Sequence, residues 1–137
     1  MKKANRRQQA MAQGWRSGLE EDVATSLKAR GAVFTYEELV LKWESPAQMH
    51  KYTPDFVVTT LTGKEIVIET KGYWTAADRK KMALIVAQNE ELDIRIVFQN
   101  PNNRLSKMSK TTYAAWCEAN LGIPWAARDV PTEWLME

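Results

Sequence analysis

A single cysteine, Cys117, and a single histidine, His50, occur in the whole 137-residue chain. No intrachain disulfide can form, and a closed zinc site, which takes about four Cys and His ligands, lacks its donors. Zinc fingers, zinc deaminases and His-x-x-x-His metalloproteases are excluded on that ground. Ser-His-Asp or Cys-His catalysis would have to run through His50, which stands in Ala47-Gln48-Met49-His50-Lys51 with no nucleophile motif nearby. Long apolar runs are also missing, so neither a signal peptide nor a membrane span is expected. Nor is there an internal repeat or a low-complexity tract.

What is present is the composition of one folded domain, with 45% apolar and 26% charged residues. At about this size folding buries roughly two-thirds of the unfolded chain's surface, enough for a core without staples. The net charge of +2 is unevenly divided. Lys2, Lys3, Arg6, Arg7 and Arg16 give residues 1–16 a charge of +5, and the remaining chain carries −3. The leader reads as a disordered basic arm suited to a polyanion, or as a solubilising tail.

The punctuation predicts a mixed α/β unit. Residues 17–31 form a helix, with Ser17 as N-cap, Glu20 three residues on, Leu19, Val23 and Leu27 at helical spacing, and Gly31 closing it. Residues 32–43 favour strands and residues 45–53 a polar connector. Residues 55–61 and 65–71 read as a hairpin around Thr62-Gly63, its second strand buried on both faces. Thr75 caps a second helix with Met82, Ile85, Val86 and Leu92 inward, and residues 94–98 return as a strand. Strand, helix and strand in that order imply a parallel pair with a right-handed crossover. A loop over residues 100–109, a short helix over 111–120 and a tail from Ile123 complete the chain.

Chemistry concentrates where acids meet the buried strands. Pro54-Asp55 opens the Phe56-Val57-Val58 strand, and thirteen residues intervene before Glu69-Thr70-Lys71. Alternation puts Glu69 and Lys71 on one strand face. Hairpin pairing sets the start of one strand beside the end of the next, which brings Asp55 towards Glu69. Two neighbouring carboxylates repel and raise each other's pKa unless a cation intervenes. A hard divalent ion such as Mg²⁺ resolves the conflict, since it takes oxygen ligands and lowers the pKa of water. Lys71 can hold that water and offset charge on a pentacovalent phosphate. The set suits metal-assisted phosphodiester hydrolysis. The plainer alternative is a turn acid at Asp55 and a surface ion pair between Glu69 and Lys71, worth almost nothing. Asp78-Arg79-Lys80 repeats the acid-x-base pattern but sits at a helix start, where capping explains it. Glu20 is equally open, either capping-box partner of Ser17 or a further metal ligand leaning over the sheet.

Several stretches occur in the order of a known family: Arg16-Ser17-Gly18-Leu19-Glu20, Tyr36-Glu37-Glu38, Pro46-Ala47, His50, Tyr52-Thr53-Pro54-Asp55-Phe56, Glu69-Thr70-Lys71-Gly72, Asp78-Arg79-Lys80-Lys81 and Glu91-Leu92-Asp93-Ile94-Arg95-Ile96-Val97-Phe98. On these the chain resembles the phage-type endonuclease I Holliday-junction resolvases of the PD-(D/E)XK nuclease superfamily. The resemblance implies a restriction-endonuclease-like mixed sheet flanked by helices, within one nuclease domain at residues 16–137 behind the arm at 1–15. It implies a catalytic set of Glu20, Asp55, Glu69 and Lys71 and two Mg²⁺ or Mn²⁺ ions. Asp55 would be shared, Glu69 and the Thr70 carbonyl completing one ion site and Glu20 the other. It also implies a homodimer exchanging strands through a connector at residues 45–49, where Pro46 stiffens the bridge. Paired cuts in a four-way junction suit such a two-fold assembly.

The separation of Asp55 from Glu69 looks longer than the family pattern, which points to a longer hairpin. The chain's end lacks the basic extension associated with the family, which throws weight on the arm. Further phosphate contacts are expected from Arg79, Lys80 and Lys81 and from Arg104, Lys107 and Lys110, each equally readable as a solvated charge. His50 reads as a hydrogen-bonding residue near the site or a structural one, and Trp74 and Trp116 as core or interface. The expected partner is branched DNA, with no membrane and no organic cofactor, in the cytoplasm, that of the host if the chain is phage-encoded. Two other readings stay open: a same-fold nuclease acting on specific-sequence or mismatched duplex, and a non-catalytic DNA-binding factor.

Overall fold

A computed structural model of the chain describes Gly14, residues 17–45 and residues 48–137. The arm's Lys2, Lys3, Arg6 and Arg7, the flanking Arg16, and Pro46 and Ala47 of the expected connector lie outside the described residues.

Helix α1 (Gly18–Ala29) begins as its sequence dictates, with Ser17 in extended backbone and its hydroxyl accepting from the Glu20 N–H at 3.1 Å. It ends in a Schellman arrangement. Gly31 takes a φ of +64°, Gly31 N bonds to Lys28 O, and Ala32 N bonds to Leu27 O at 3.0 Å. Strands β1 (Val33–Tyr36), β4 (Phe56–Thr59), β5 (Glu65–Lys71), β6 (Ile94–Phe98) and β7 (Trp125–Ala127) form one sheet in the order β1-β4-β5-β6-β7. The β1–β4 and β4–β5 pairs are antiparallel, and β5–β6 and β6–β7 are parallel. Helix α2 (Ala76–Gln88), capped by Thr75, is the crossover between β5 and β6. The expected hairpin, crossover and parallel pair are thus all found.

Strand β5 is central and apolar on both faces because both are covered. Ile66 and Ile68 pack with Phe56, Val58 and the α1 residues Leu19, Val23 and Leu27. Val67 packs instead with Met82 and Ile85 of α2, Tyr113 and Cys117 of α3 (Tyr113–Asn120), and Trp74. Each fully buried Ile or Phe in these layers contributes roughly 2–3 kcal/mol of transfer free energy. Trp74 is at the centre of the second layer, edge-on to Tyr113 and Trp116, so the core role expected of both tryptophans is met. Burial pushes the Cys117 thiol up to about 12, which leaves it inert.

Two segments differ from expectation. Part of the connector expected at residues 45–53 is a strand, β3 (Gln48–Tyr52), paired with β2 (Leu41–Ser45) in a separate two-stranded sheet. Its residues are too polar to announce a strand, but the pair is held from outside. Trp43 stacks on His50 at 4.2 Å, Leu41 enters the core, and Gln88 of α2 bonds to the backbone of Glu44 in both directions. The tail from Ile123 holds strand β7 and helix α4 (Thr132–Met136). Three residues are too few to show alternation, and the ladder with β6 supplies the structure.

The far end of the sheet carries an ion cluster built on a buried arginine. Arg95, 4% exposed, bonds to both oxygens of Asp93 at 2.8 Å and to Glu137, with Trp134 against its guanidinium. These bonds hold the Asp93 carboxyl down at about 2.

Candidate active site

The carboxyl ends of β5 and β6 and the N-terminus of α1 converge on a cleft of about 940 Å³. Glu20, Asp55, Glu69, Thr70 and Lys71 all line it, so the structure brings the expected catalytic residues together. Register explains how. Phe56 pairs with Ile68, which sets Asp55, the residue before β4, at the level of Glu69 and Thr70. Thr70 then donates twice to one oxygen of Asp55: its main-chain N–H at 2.9 Å and its hydroxyl at 2.7 Å from Oδ2.

Glu69 and Lys71 share a face as alternation requires, with Lys71 Nζ 3.6 Å from Glu69 Oε1. This is no solvated surface pair, since Glu69 is 5% exposed. The other oxygen, Glu69 Oε2, is buried with no hydrogen-bond partner. Lys71 is fixed by its carbonyl, which accepts from Gln99 N at the end of β6.

Glu20 lines the cleft from the first turn of α1. Ser17 makes its half of the cap, while the Glu20 carboxylate accepts from the Tyr36 hydroxyl and is buried. Carboxylate oxygens of Glu20, Glu37 and Asp55 lie within 4.8 Å of one another. Glu37 was not singled out as a site residue by sequence. Its carboxylate arrives through a backbone bend that no pattern announces: a φ of +52°, with Glu37 N donating to Asp55 O at 2.9 Å. The only sequence trace of it is its place in the Tyr36-Glu37-Glu38 stretch.

Burial sets the electrostatics. It is the largest influence lifting Asp55 to about 6, with the Glu20 charge adding to it and the Thr70 bonds and Lys71 opposing. Burial likewise lifts Glu69 to about 7 against the pull of Lys71. A crowd of buried carboxylates with one oxygen unpartnered fits a hard divalent cation, whose preferred donors are oxygens. Glu20, Glu37 and Asp55 are the clustered side chains able to hold it, and Glu69 lines the same cleft.

The basic residues are spread out. Lys81 lines the cleft and lies over the rings of Tyr52 and Trp43 at 5.3 and 5.8 Å. Arg79 points elsewhere, donating to the Trp74 carbonyl at 2.7 Å and covering Trp116. Lys80, Arg104, Lys107 and Lys110 are exposed. His50 is stacked on Trp43 in the β2–β3 hairpin and does not line the cleft. Among the described residues no helix is long and apolar enough to cross a membrane.

A mixed sheet that gathers buried acids and a lysine at the end of its central strand has the equipment of a metal-assisted nuclease, and comparison with known proteins defines the class as endonuclease. The family model of phage endonuclease I matches residues 1–137, and the chain belongs to that family. It is 45% identical over 123 residues to Endonuclease I of Escherichia phage T7, covering 90% of this chain and 79% of the relative. It is also 42% identical over 123 residues to Endodeoxyribonuclease 1 of Enterobacteria phage T3, covering 90% and 78%. The family resemblance drawn from the motifs is met.

Proposed function

We propose that this endonuclease acts on DNA and resolves four-way junctions by paired, metal-dependent phosphodiester hydrolysis, with Glu20, Asp55, Glu69 and Lys71 as its catalytic set. The observation that carries the reading is that these four side chains line one cleft, in which Glu69 Oε2 is buried without a hydrogen-bond partner. The T3 relative's name, an endodeoxyribonuclease, supports DNA as the substrate class.

Two ions, Mg²⁺ or Mn²⁺, would be held by Asp55, Glu69 and the Thr70 carbonyl and by Glu20, joined by Glu37, and when bound would neutralise charge at the phosphate and make water a stronger acid. Lys71 acts through Nζ, donating hydrogen bonds to the attacking water or to a phosphate oxygen as negative charge grows there. Water oxygen bonds to phosphorus, one phosphorus–oxygen ester bond breaks, the water gives up a proton and the leaving oxygen takes one.

The paired cuts call for two such sites, which a two-fold homodimer supplies. In the strand-exchanged form of that dimer, residues 45–49 would cross between protomers and the β2–β3 ladder would form with the partner through the same contacts. Residues 1–15, with Lys2, Lys3, Arg6, Arg7 and the adjacent Arg16, form the basic arm that grips phosphates, assisted by Lys80, Lys81, Lys107 and Lys110.

The test is cleavage of a four-way junction and of a linear duplex of the same sequence, with and without Mg²⁺, by wild type and Lys71→Ala. Junction cleavage that needs the ion and Lys71 is expected. Equal cleavage of both substrates would replace the junction reading with a sequence- or mismatch-directed nuclease. No cleavage with any divalent ion would leave a non-catalytic binder.

A further inference from the structure

Among the described residues, seven large hydrophobic or aromatic side chains are strongly exposed: Val33, Val40, Met49, Leu61, Tyr73, Met108 and Met136. Six of them are away from the cleft. Tyr73, 82% exposed, lines it together with Asp55, Glu69 and Lys71.

Isolated exposed aromatics are ordinary, so the mounting matters. On one side of Tyr73, the Lys71 carbonyl accepts from Gln99 N at 2.9 Å, which ties the end of β5 to β6. On the other, Trp74 is 1% exposed, its N–H donates to the Tyr113 hydroxyl at 3.2 Å, and its carbonyl accepts from Arg79. The backbone is therefore pinned within two residues on both sides while the ring between stands in solvent. A ring held in this way loses little freedom on meeting a flat partner, which is the condition for a pre-organised contact. Lys51 and Lys81 line the same cleft and draw a polyanion towards it.

We infer that Tyr73 is a specificity-determining residue, a stacking platform for a nucleobase next to the phosphodiester being cut. This rests on the reading of the cleft as the site of DNA cleavage. Inside a continuous duplex both faces of every base are covered by neighbouring bases. A protein ring can reach a base face only where stacking is interrupted, at a branch point, an end or a flap. Tyr73 thus rewards broken stacking and biases the cleft towards branched DNA without reading sequence, because every base offers a π-face.

The experiment uses a four-way junction carrying 2-aminopurine at the branch point, bound in Ca²⁺ to allow binding without turnover. Stacking quenches this base. Wild type and Tyr73→Phe are expected to quench it, and Tyr73→Ala is not. The preference of Tyr73→Ala for junction over linear duplex, from competition binding, is expected to fall about tenfold, within the range for base–aromatic stacking. A circular dichroism melt of Tyr73→Ala that matches wild type separates this from misfolding. If wild type leaves the fluorescence unchanged, or if Tyr73→Ala quenches and discriminates as wild type does, the platform is overturned. Wild type that quenches the probe yet cuts no junction in Mg²⁺ keeps the platform and overturns the proposed function instead.

Discussion

Thr70 spends both of its donors on the same oxygen of Asp55, Oδ2, at 2.9 and 2.7 Å, so Thr70 does not engage Oδ1. The carboxylate is thereby oriented from the neighbouring strand, as outer-shell partners of metal ligands are in other sites. Thr70→Val removes the hydroxyl bond, keeps the shape and leaves the main-chain bond. Affinity for Mg²⁺ by titration calorimetry is expected to fall about tenfold, with Thr70→Ser close to wild type. Wild-type affinity in the valine variant would show that the main-chain bond alone orients Asp55.

The raised carboxyls predict how stability responds to pH. Asp55 at about 6 and Glu69 at about 7 stand above their ordinary values of 3.8 and 4.5. The folded state therefore binds more protons than the unfolded one between about pH 4 and 7, and stability falls as pH rises through that window. The loss is on the order of 3 kcal/mol per group. Asp55→Asn is expected to raise the melting temperature of the metal-free protein at pH 7.5 and to change it little at pH 4. Added Mg²⁺ should stabilise wild type most at the higher pH. Melts in chelator and in Mg²⁺ from pH 4 to 7.5 test this, and an asparagine variant that melts lower than wild type at pH 7.5 would reverse the sign.

Glu37 gives a third expectation. Its carboxylate shares a 4.8 Å cluster with Glu20 and Asp55 while its backbone is held at a φ of +52°. Such a conformation costs a non-glycine residue roughly 1 kcal/mol or more, and it persists because Glu37 N is bonded to Asp55 O. Glu37→Gln keeps the shape and removes the charge. Mn²⁺ binding, followed by electron paramagnetic resonance, should weaken about tenfold without loss of fold. Unchanged binding would remove Glu37 from the ligand set.

The proposed strand-exchanged dimer predicts slow mixing. Trp43, His50 and the Gln88 bonds hold β2 and β3 together, and exchange of protomers would have to break that ladder and strip β1 from β4. Differently tagged dimers are expected to form hybrids only after partial unfolding. Mixed dimers that appear on simple mixing would mean that strands are not shared.

Local signals carried much of this molecule. The Ser17 and Thr75 caps, the Gly31 stop and the apolar runs of β4, β5 and β6 place α1, α2 and the hairpin, because each depends on neighbours in the chain. Asp55, Glu69 and Lys71 follow from strand alternation and hairpin register alone. What escaped depends on distant partners. β3 owes its strand to Trp43 and Gln88, and β7 owes its own to the β6 ladder. Glu37 reaches the cleft through a φ that its sequence does not encode. Arg95 interrupts the otherwise apolar run of β6, and only the fold brings Glu137 to it.

One strand serves two masters. β5 centres the sheet with Ile66, Val67 and Ile68 and carries Glu69, Thr70 and Lys71 in the same unbroken run. A slip of one residue would exchange its faces, withdrawing Thr70 from Asp55 and turning Glu69 and Lys71 away. Glu69, Thr70 and Lys71 therefore meet Asp55 only once the ladder has locked in its final register.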